Sequence, residues 1–151
     1  MVQSNRNKIA VMKCIPRKPF YSSIAIILLL PLLILFLHIF LMIIFGMKII
    51  HENNIDKVSH VFGAISIGIS AAGVLWHLIC RKIIELQNTN LFRMLVFGFV
   101  CFAVIVWEII EYIFLIEMFL EYLTYSDTIT DMICGLIGGL LATFVIRRPF
   151  G

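Results

Sequence analysis

Charged residues are scarce in this chain of 151 residues, and their scarcity excludes an ordinary water-soluble domain. Aspartate, glutamate, lysine and arginine make up 14% of the sequence, whereas 62% of the residues are hydrophobic. The mean hydropathy is +1.05, and the few charges lie in short islands between long apolar runs. A soluble protein of this length needs a polar shell that this composition does not provide. The bilayer is therefore the expected solvent.

Motifs for several kinds of chemistry are also missing. The sequence contains no phosphate-binding loop, no serine-nucleophile motif and no nucleic-acid module, so nucleic acid is not an expected partner. The cysteines show no spacing typical of a metal site or a redox pair. We interpret all of them as small apolar packing residues, and we expect no structural disulfide on the outer side. They are Cys14, Cys80, Cys101 and Cys134.

Four long apolar runs remain, and each is long enough to cross a membrane once as a helix. The first could reach roughly 43 Å at 1.5 Å per residue, so it should tilt, bend near Pro31 or extend past the membrane surface. We predict an all-α, polytopic membrane protein that forms a single four-helix domain over residues 1–151. The predicted spans are 22–50, 58–79, 94–116 and 128–146.

The distribution of lysine and arginine predicts the orientation of the chain. Ten of the twelve lie in the N-terminal tail, in the connector between the second and third spans, or in the C-terminal tail. Only Lys48 and Lys57 lie on the other side. We therefore expect both termini to be cytoplasmic. Eight of the nine acidic residues then lie in the outer loops or outer halves of the spans, and Glu85 is the exception.

Small residues recur every four positions on two of the spans. Ala64, Gly68 and Ala72 follow this spacing on the second span, and Gly135 and Gly139 follow it on the fourth. Small side chains at this spacing are typical of surfaces at which membrane helices pack closely. We expect both faces to be helix contact surfaces, and we leave open whether they pack against each other.

Three of the predicted spans carry pairs of ionisable residues at one level of the membrane. Residues three or four positions apart lie above one another on a helix, so each pair shares a face. Two of the spans enter from the outer side and one travels towards it, which places all six side chains in the outer half of the bilayer. The pairs are Asp56 with His60, Glu108 with Glu111, and Asp127 with Asp131.

A charged side chain near the middle of a membrane costs about 2.5 to 3.5 kcal/mol on insertion scales, so these acids should not face lipid. Five carboxylates in one cavity, with only Lys57 and His60 beside them, repel one another unless some are protonated or a metal ion neutralises them. Oxygen ligands with one nitrogen suit several divalent metals without selecting one. The candidate metal ligands are Asp56, His60, Glu108, Glu111, Asp127 and Asp131, and the candidate catalytic residues among them are His60, Glu108, Glu111 and Asp131.

Simpler roles exist for some of these residues. Asp56 and Asp127 could serve only as N-caps of the second and fourth helices. The two glutamates of "WEIIEY" could form a structural hydrogen-bonded pair. His38 lies at a similar depth on the first span, and a buried, hydrogen-bonded structural role is expected for it.

The segments "DKVSHVFG", "WEIIEY" and "SDTITDMICGLIGG" resemble, in order, three signature blocks of the VanZ-like group of small bacterial membrane proteins. Within that group the chain is most similar to the YjdF-like inner-membrane family. The resemblance spans about residues 56 to 139 and implies a multi-pass protein of the bacterial cytoplasmic membrane. The wider group is associated with glycopeptide-antibiotic tolerance, which implies work at the outer envelope.

Three functions are compatible with an acidic site of this kind. The first is a membrane enzyme, with a divalent metal ion as its hypothetical cofactor, that acts on a lipid or cell-envelope precursor and uses Lys57 to contact an anionic group. The second is a cation- or proton-coupled carrier. The third is a non-catalytic membrane module. Membrane lipids are the expected partners in all three, and formation of a homo-oligomer is left open.

Overall fold

All four predicted helices are present in the computed structural model, which describes residues 20–86, 88–119 and 125–146. No β-strand occurs among these residues. The all-α prediction is therefore confirmed. The helices are α1 (Phe20–Glu52), α2 (Ile55–Cys80), α3 (Thr89–Phe119) and α4 (Tyr125–Val145).

Each helix contains a segment that is long and apolar enough to cross a membrane. Large apolar side chains are exposed along all four helices, whereas soluble monomers rarely expose large continuous apolar surfaces. These side chains suit a surface that faces lipid. The membrane segments are Ile27–Gly46, Ile55–Cys80, Thr89–Ile113 and Tyr125–Val145.

Asparagine residues define the starts of two helices. The Asn88 side-chain oxygen accepts hydrogen bonds from the backbone N–H groups of Asn90 (2.8 Å) and Leu91 (3.3 Å), which makes it the N-cap of α3. At the turn between α1 and α2, Asn54 adopts a left-handed backbone conformation with φ of 55°. Asparagine tolerates this conformation better than most residues. The turn can therefore be short, and α1 leads almost directly into α2.

α2 is the central helix of the bundle. It packs against α1, α3 and α4, and α4 also packs against α3. The buried residues of α2 are small, and small side chains let neighbouring helices approach closely. They are Ala64, Ser66, Gly68, Ser70 and Ala72.

The closest approach between α2 and α4 occurs at Gly138. A Cβ atom at this position would clash with the backbone carbonyl of Val61, and one at Gly68 would collide with the Cβ atom of Ala142. The small face of α2 is therefore a contact surface, as expected. Its partners on α4 are Gly138 and Ala142.

The predicted small face of α4 contacts a different helix. A Cβ atom at Gly135 would collide with Val104, and one at Gly139 would collide with Val100, and both valines belong to α3. Gly135 and Gly139 are thus helix contacts too, and the side chains nearest to them belong to α3. α4 presents glycine to two neighbours at once, so it can pack closely against both.

Gly46 interrupts α1. Its φ of 76° and ψ of 154° are not helical, and residues with a Cβ atom rarely adopt a positive φ of this kind. The membrane segment also ends here, so a short helical segment continues beyond it to Glu52. Of the three outcomes expected for this long apolar run, extension past the membrane segment is observed, with a break at Gly46.

Pro31 does not interrupt α1, because α2 replaces the hydrogen bond that proline removes. Proline has no N–H group to donate to the carbonyl four residues earlier, which here belongs to Ile27. The Ser70 hydroxyl donates to that carbonyl at 2.6 Å. Serine on a neighbouring helix is one of the groups that make proline tolerable inside a membrane helix. This bond also joins α1 to α2 at a defined level.

Cys80, at the end of α2, is disulfide-bonded. The interpretation of all four cysteines as packing residues was therefore wrong for this one. Cys101 and Cys134 are free thiols, and Cys14 lies outside the described residues.

Replacing Ser70 with alanine should lower the free energy of unfolding in detergent by about 1 kcal/mol, because the Ile27 carbonyl loses its donor. In a Pro31→Ala background the same replacement should cost less, because alanine restores the missing N–H group. Thermal unfolding of the four variants of this double-mutant cycle measures the difference. Ser66→Ala is the control, since the Ser66 hydroxyl bonds within its own helix. An equal cost of Ser70→Ala in both backgrounds would contradict this account.

Candidate functional site

The predicted site residues lie at one end of the bundle, here termed the acidic end, where α1 turns into α2 and α4 begins. Two groups of ionisable side chains form there, and each contains a set of possible metal-ligand atoms. One, termed the terminal group, lies next to the helix ends. The other, termed the deep group, lies about one helical turn further into the bundle. The terminal group consists of His51, Asp56, Lys57 and Asp127, and the deep group consists of His60, Glu108 and Glu111.

The terminal group is a network of ion pairs that connects three helices. The Lys57 ammonium lies 3.1 Å from a carboxylate oxygen of Asp127 and 3.4 Å from one of Asp56. His51 Nδ1 lies 3.4 Å from an oxygen of each aspartate. Two carboxylates thus face one ammonium group and one imidazole.

His51 was not among the site residues predicted from the sequence. It lies five positions before Asp56 and on the far side of the α1–α2 turn, so no helical spacing links the two residues. The break at Gly46 and the left-handed Asn54 bring the end of α1 back onto the starts of α2 and α4. The sequence feature that could have indicated His51 is "HENNID", in which a histidine and an aspartate flank a turn with two asparagines.

Capping alone does not account for the aspartates. The N-cap of α2 is Asn54, so the N-cap interpretation was wrong for Asp56. Asp56 and Asp127 each lie in the first turn of a helix, where a negative charge is stabilised by the helix dipole. Both also pair with Lys57 and His51 of neighbouring segments. They therefore stabilise helix ends and hold the helices together.

The deep group combines one imidazole with two carboxylates. His60 Nδ1 lies 3.5 Å from Glu108 Oε1, and its Nε2 lies 3.8 Å from Glu111 Oε2. The three side chains are 8%, 9% and 15% exposed, respectively. Within the described part of the chain, no lysine or arginine pairs with either glutamate. Unlike the terminal group, this group has no permanent positive charge.

Several polar atoms at the acidic end are buried without a hydrogen-bond partner among the described residues. They include Oε1 of Glu108 and Oε2 of Glu111, the same atoms that face His60 at distances too long or angles too poor for a hydrogen bond. A buried carboxylate oxygen without a donor is costly. The deep group is therefore suited to accept something that carries positive charge.

Asp131 and His38 lie beside the two groups without belonging to either. Asp131 is only 5% exposed, its Oδ1 has no hydrogen-bond partner among the described residues, and it lies within electrostatic range of Asp127 and Glu108. His38 is buried, and its Nδ1 also lacks a partner in the same part of the chain. A buried, hydrogen-bonded structural role was expected for His38; its burial is confirmed, whereas Nδ1 makes no hydrogen bond within the described residues.

Comparison with known proteins identifies the family to which the chain belongs. The family described as "Predicted membrane protein (DUF2238)" matches residues 10–149, which is nearly the whole chain. The chain belongs to this family. No curated protein and no solved structure matches it. Family membership agrees with the membrane assignment made from the composition.

In this DUF2238 protein, Lys57→Gln should lower the free energy of unfolding by about 2 kcal/mol, because two partly buried aspartates then lose their common cation. Adding Asp127→Asn should restore part of the loss by removing one of the repelling charges. Thermal unfolding in detergent measures both effects. Lys48→Gln is the control, since Lys48 pairs with Glu52 at 3.9 Å on the exposed surface and such pairs contribute little. The role of Lys57 as a shared cation is contradicted if the second substitution adds a further loss.

Proposed function

We propose that the deep group binds a divalent metal ion, and that the protein is a metal-dependent membrane enzyme acting on a lipid or cell-envelope precursor. The observation that carries this proposal is the burial of two carboxylates and an imidazole together, with unpartnered oxygens facing the imidazole. Charged groups inside a membrane segment are expensive unless they are compensated. A divalent cation compensates both carboxylates at once.

Charge distinguishes the two groups as metal sites. In the terminal group, Lys57 already lies within 3.4 Å of both aspartates, so a metal ion would have to displace or repel an ammonium group. The deep group contains no such competitor among the described residues. Of the six ligands predicted from the sequence, His60, Glu108 and Glu111 are therefore the ones we assign to the metal ion. Asp56 and Asp127 form the mouth of the site.

The spacing of the deep group also suits a metal ion. One ligand atom from each of the three residues lies within 4.8 Å of the others. Ligand atoms bound to one cation at about 2.0 to 2.6 Å lie roughly 3 to 4 Å apart, so small side-chain movements suffice. Three protein ligands leave a position for water or substrate, as in catalytic metal sites.

Such a site has a defined use in hydrolysis or group transfer. A cation held by His60, Glu108 and Glu111 would supply an activated water molecule as a nucleophile, or would polarise a phosphoryl or carbonyl oxygen of the substrate. Asp131 is buried nearby and is suited to accept a proton. Lys57, at the mouth, is suited to contact an anionic group. The resemblance to VanZ-like and YjdF-like proteins supports a role of this kind at the bacterial envelope.

Purified protein should bind about one Mn²⁺ or Zn²⁺ ion per chain, measured by mass spectrometry of the metal after dialysis. Glu108→Gln and Glu111→Gln should weaken binding at least about tenfold, because each removes a charged ligand while keeping its size. Glu52→Gln is the control, since Glu52 is exposed at the end of α1 and should leave binding unchanged.

Two results would overturn the metal assignment: wild-type protein that binds neither metal, or a Glu108→Gln protein that elutes as a folded species and retains wild-type affinity.

The same variants separate the other functions considered above. A proton or cation flux in proteoliposomes that depends on Glu108 would indicate a carrier. Loss of function in proportion to loss of stability would indicate a non-catalytic module.

The proposed orientation places the acidic end at the outer face of the cytoplasmic membrane. The lysine and arginine distribution, ten against two, supports it. The disulfide at Cys80 points the other way, because disulfides are rare in the reducing cytosol. The charge distribution draws on both tails and two connectors, whereas the disulfide is a single feature, so the proposed orientation follows the charges.

Labelling of single cysteines in intact cells tests the orientation. In a background without the natural cysteines, Asn53→Cys in the α1–α2 turn should react with a membrane-impermeant maleimide added outside. Glu85→Cys, in the connector between α2 and α3, should react only after the membrane is permeabilised. Both native residues are exposed, so either site is accessible from its own side. The reverse pattern would show that the acidic end faces the cytoplasm.

A further inference from the structure

A cleft of about 370 Å³ lies between α1 and α3, with α2 as its floor. Its lining is almost entirely apolar over most of its length. On α3 the lining runs from Phe99 to Ile110, and on α1 it runs from Pro31 to His38. Since all of these residues belong to the membrane segments, the cleft lies within the hydrocarbon region, where lipid chains replace water as the solvent.

The dimensions of the cleft indicate what fits into it. The lining of α3 covers roughly 16 Å along the helix axis, which is about half of the ~30 Å hydrocarbon core, or the depth of one leaflet. One acyl chain of a bilayer lipid also spans about the depth of one leaflet. The cleft therefore matches a single hydrocarbon chain in length and in the apolar character of its lining.

One end of the cleft opens at the deep group. His60 lines the cleft and also faces both glutamates. Trp107 lines it as well, and its side chain interacts with Glu111. His38, whose buried Nδ1 has no hydrogen-bond partner among the described residues, is a third polar side chain at this end. A molecule that lies in the cleft therefore places one end against the candidate metal ligands.

We infer that the cleft binds one hydrocarbon chain of a membrane lipid from the leaflet at the acidic end, with the polar group of that lipid at the deep group. This inference rests on the proposed function and names its substrate class: a lipid-linked molecule that enters sideways from the bilayer, not a soluble precursor. The apolar lining recognises the chain, and the deep group together with Lys57 meets the polar group. The two parts of the substrate thus match the two parts of the site.

Fluorescence of Trp107 tests this inference. The second tryptophan is removed by Trp76→Phe, and the protein is placed in vesicles of phosphatidylcholine brominated in the middle of one acyl chain, since bromine quenches nearby indole. Ala103→Phe fills the cleft from the α3 side and should lose much of the quenching. Gly98→Phe adds the same side chain to α3 where nothing lies within 4 Å of a Cβ atom, and it should keep the quenching.

Gly63→Leu fills the cleft from its floor. If Ala103→Phe does not fold, the loss of Trp107 quenching is measured with Gly63→Leu instead. The inference is overturned if every folded cleft-filling variant is quenched as strongly as Gly98→Phe. Metal binding on the same preparations separates it from the proposed function. A wild type without metal that still shows the cleft-dependent quenching would overturn only the enzyme proposal.

Discussion

A carboxylate inside a membrane must find its compensation within the protein, and this constraint organises the structure. The acids of three helices could not be satisfied by lipid, and those of the terminal and deep groups all lie beside basic side chains. Lys57 and His51 compensate the aspartates at the helix ends. Only an imidazole faces the two glutamates further in. The terminal group, whose aspartates have basic partners, therefore holds the helices together. The deep group, whose glutamates face only an imidazole, is suited to chemistry.

Glycine and serine make this arrangement possible, because they bring α2 close to its neighbours. Gly138 allows α4 to approach the backbone of α2, and the first turn of α4 then lies within reach of Lys57. On the opposite side, the Ser70 hydroxyl bonds to α1. α1 and α3 are left apart with the cleft between them. The same packing that closes the acidic end therefore leaves an opening towards the lipid.

The sequence alone predicted the number of helices, their approximate bounds and the meeting of acidic residues at one end, because hydrophobic length and helical spacing are local properties. It did not predict His51, whose position depends on the backbone conformations of Gly46 and Asn54. The α4 residues that contact α2 were also missed, since a spacing of four fits Gly135 and Gly139 as well as Gly138 and Ala142. Which face meets which neighbour depends on the tilt and rotation of whole helices, and these are properties of the assembled bundle.

The order of bases and acids along the chain has a consequence for biogenesis. Chains are synthesised from the N-terminus, and His51, Lys57 and His60 all precede the acids of α3 and α4 that they face. The only basic residue of α3, Arg93, lies near the other end of that helix from Glu108. Glu108, Glu111 and Asp127 therefore enter the membrane when their partners have already been made. Asp56, the early acid of the terminal group, arrives with Lys57 as its neighbour on the same helix.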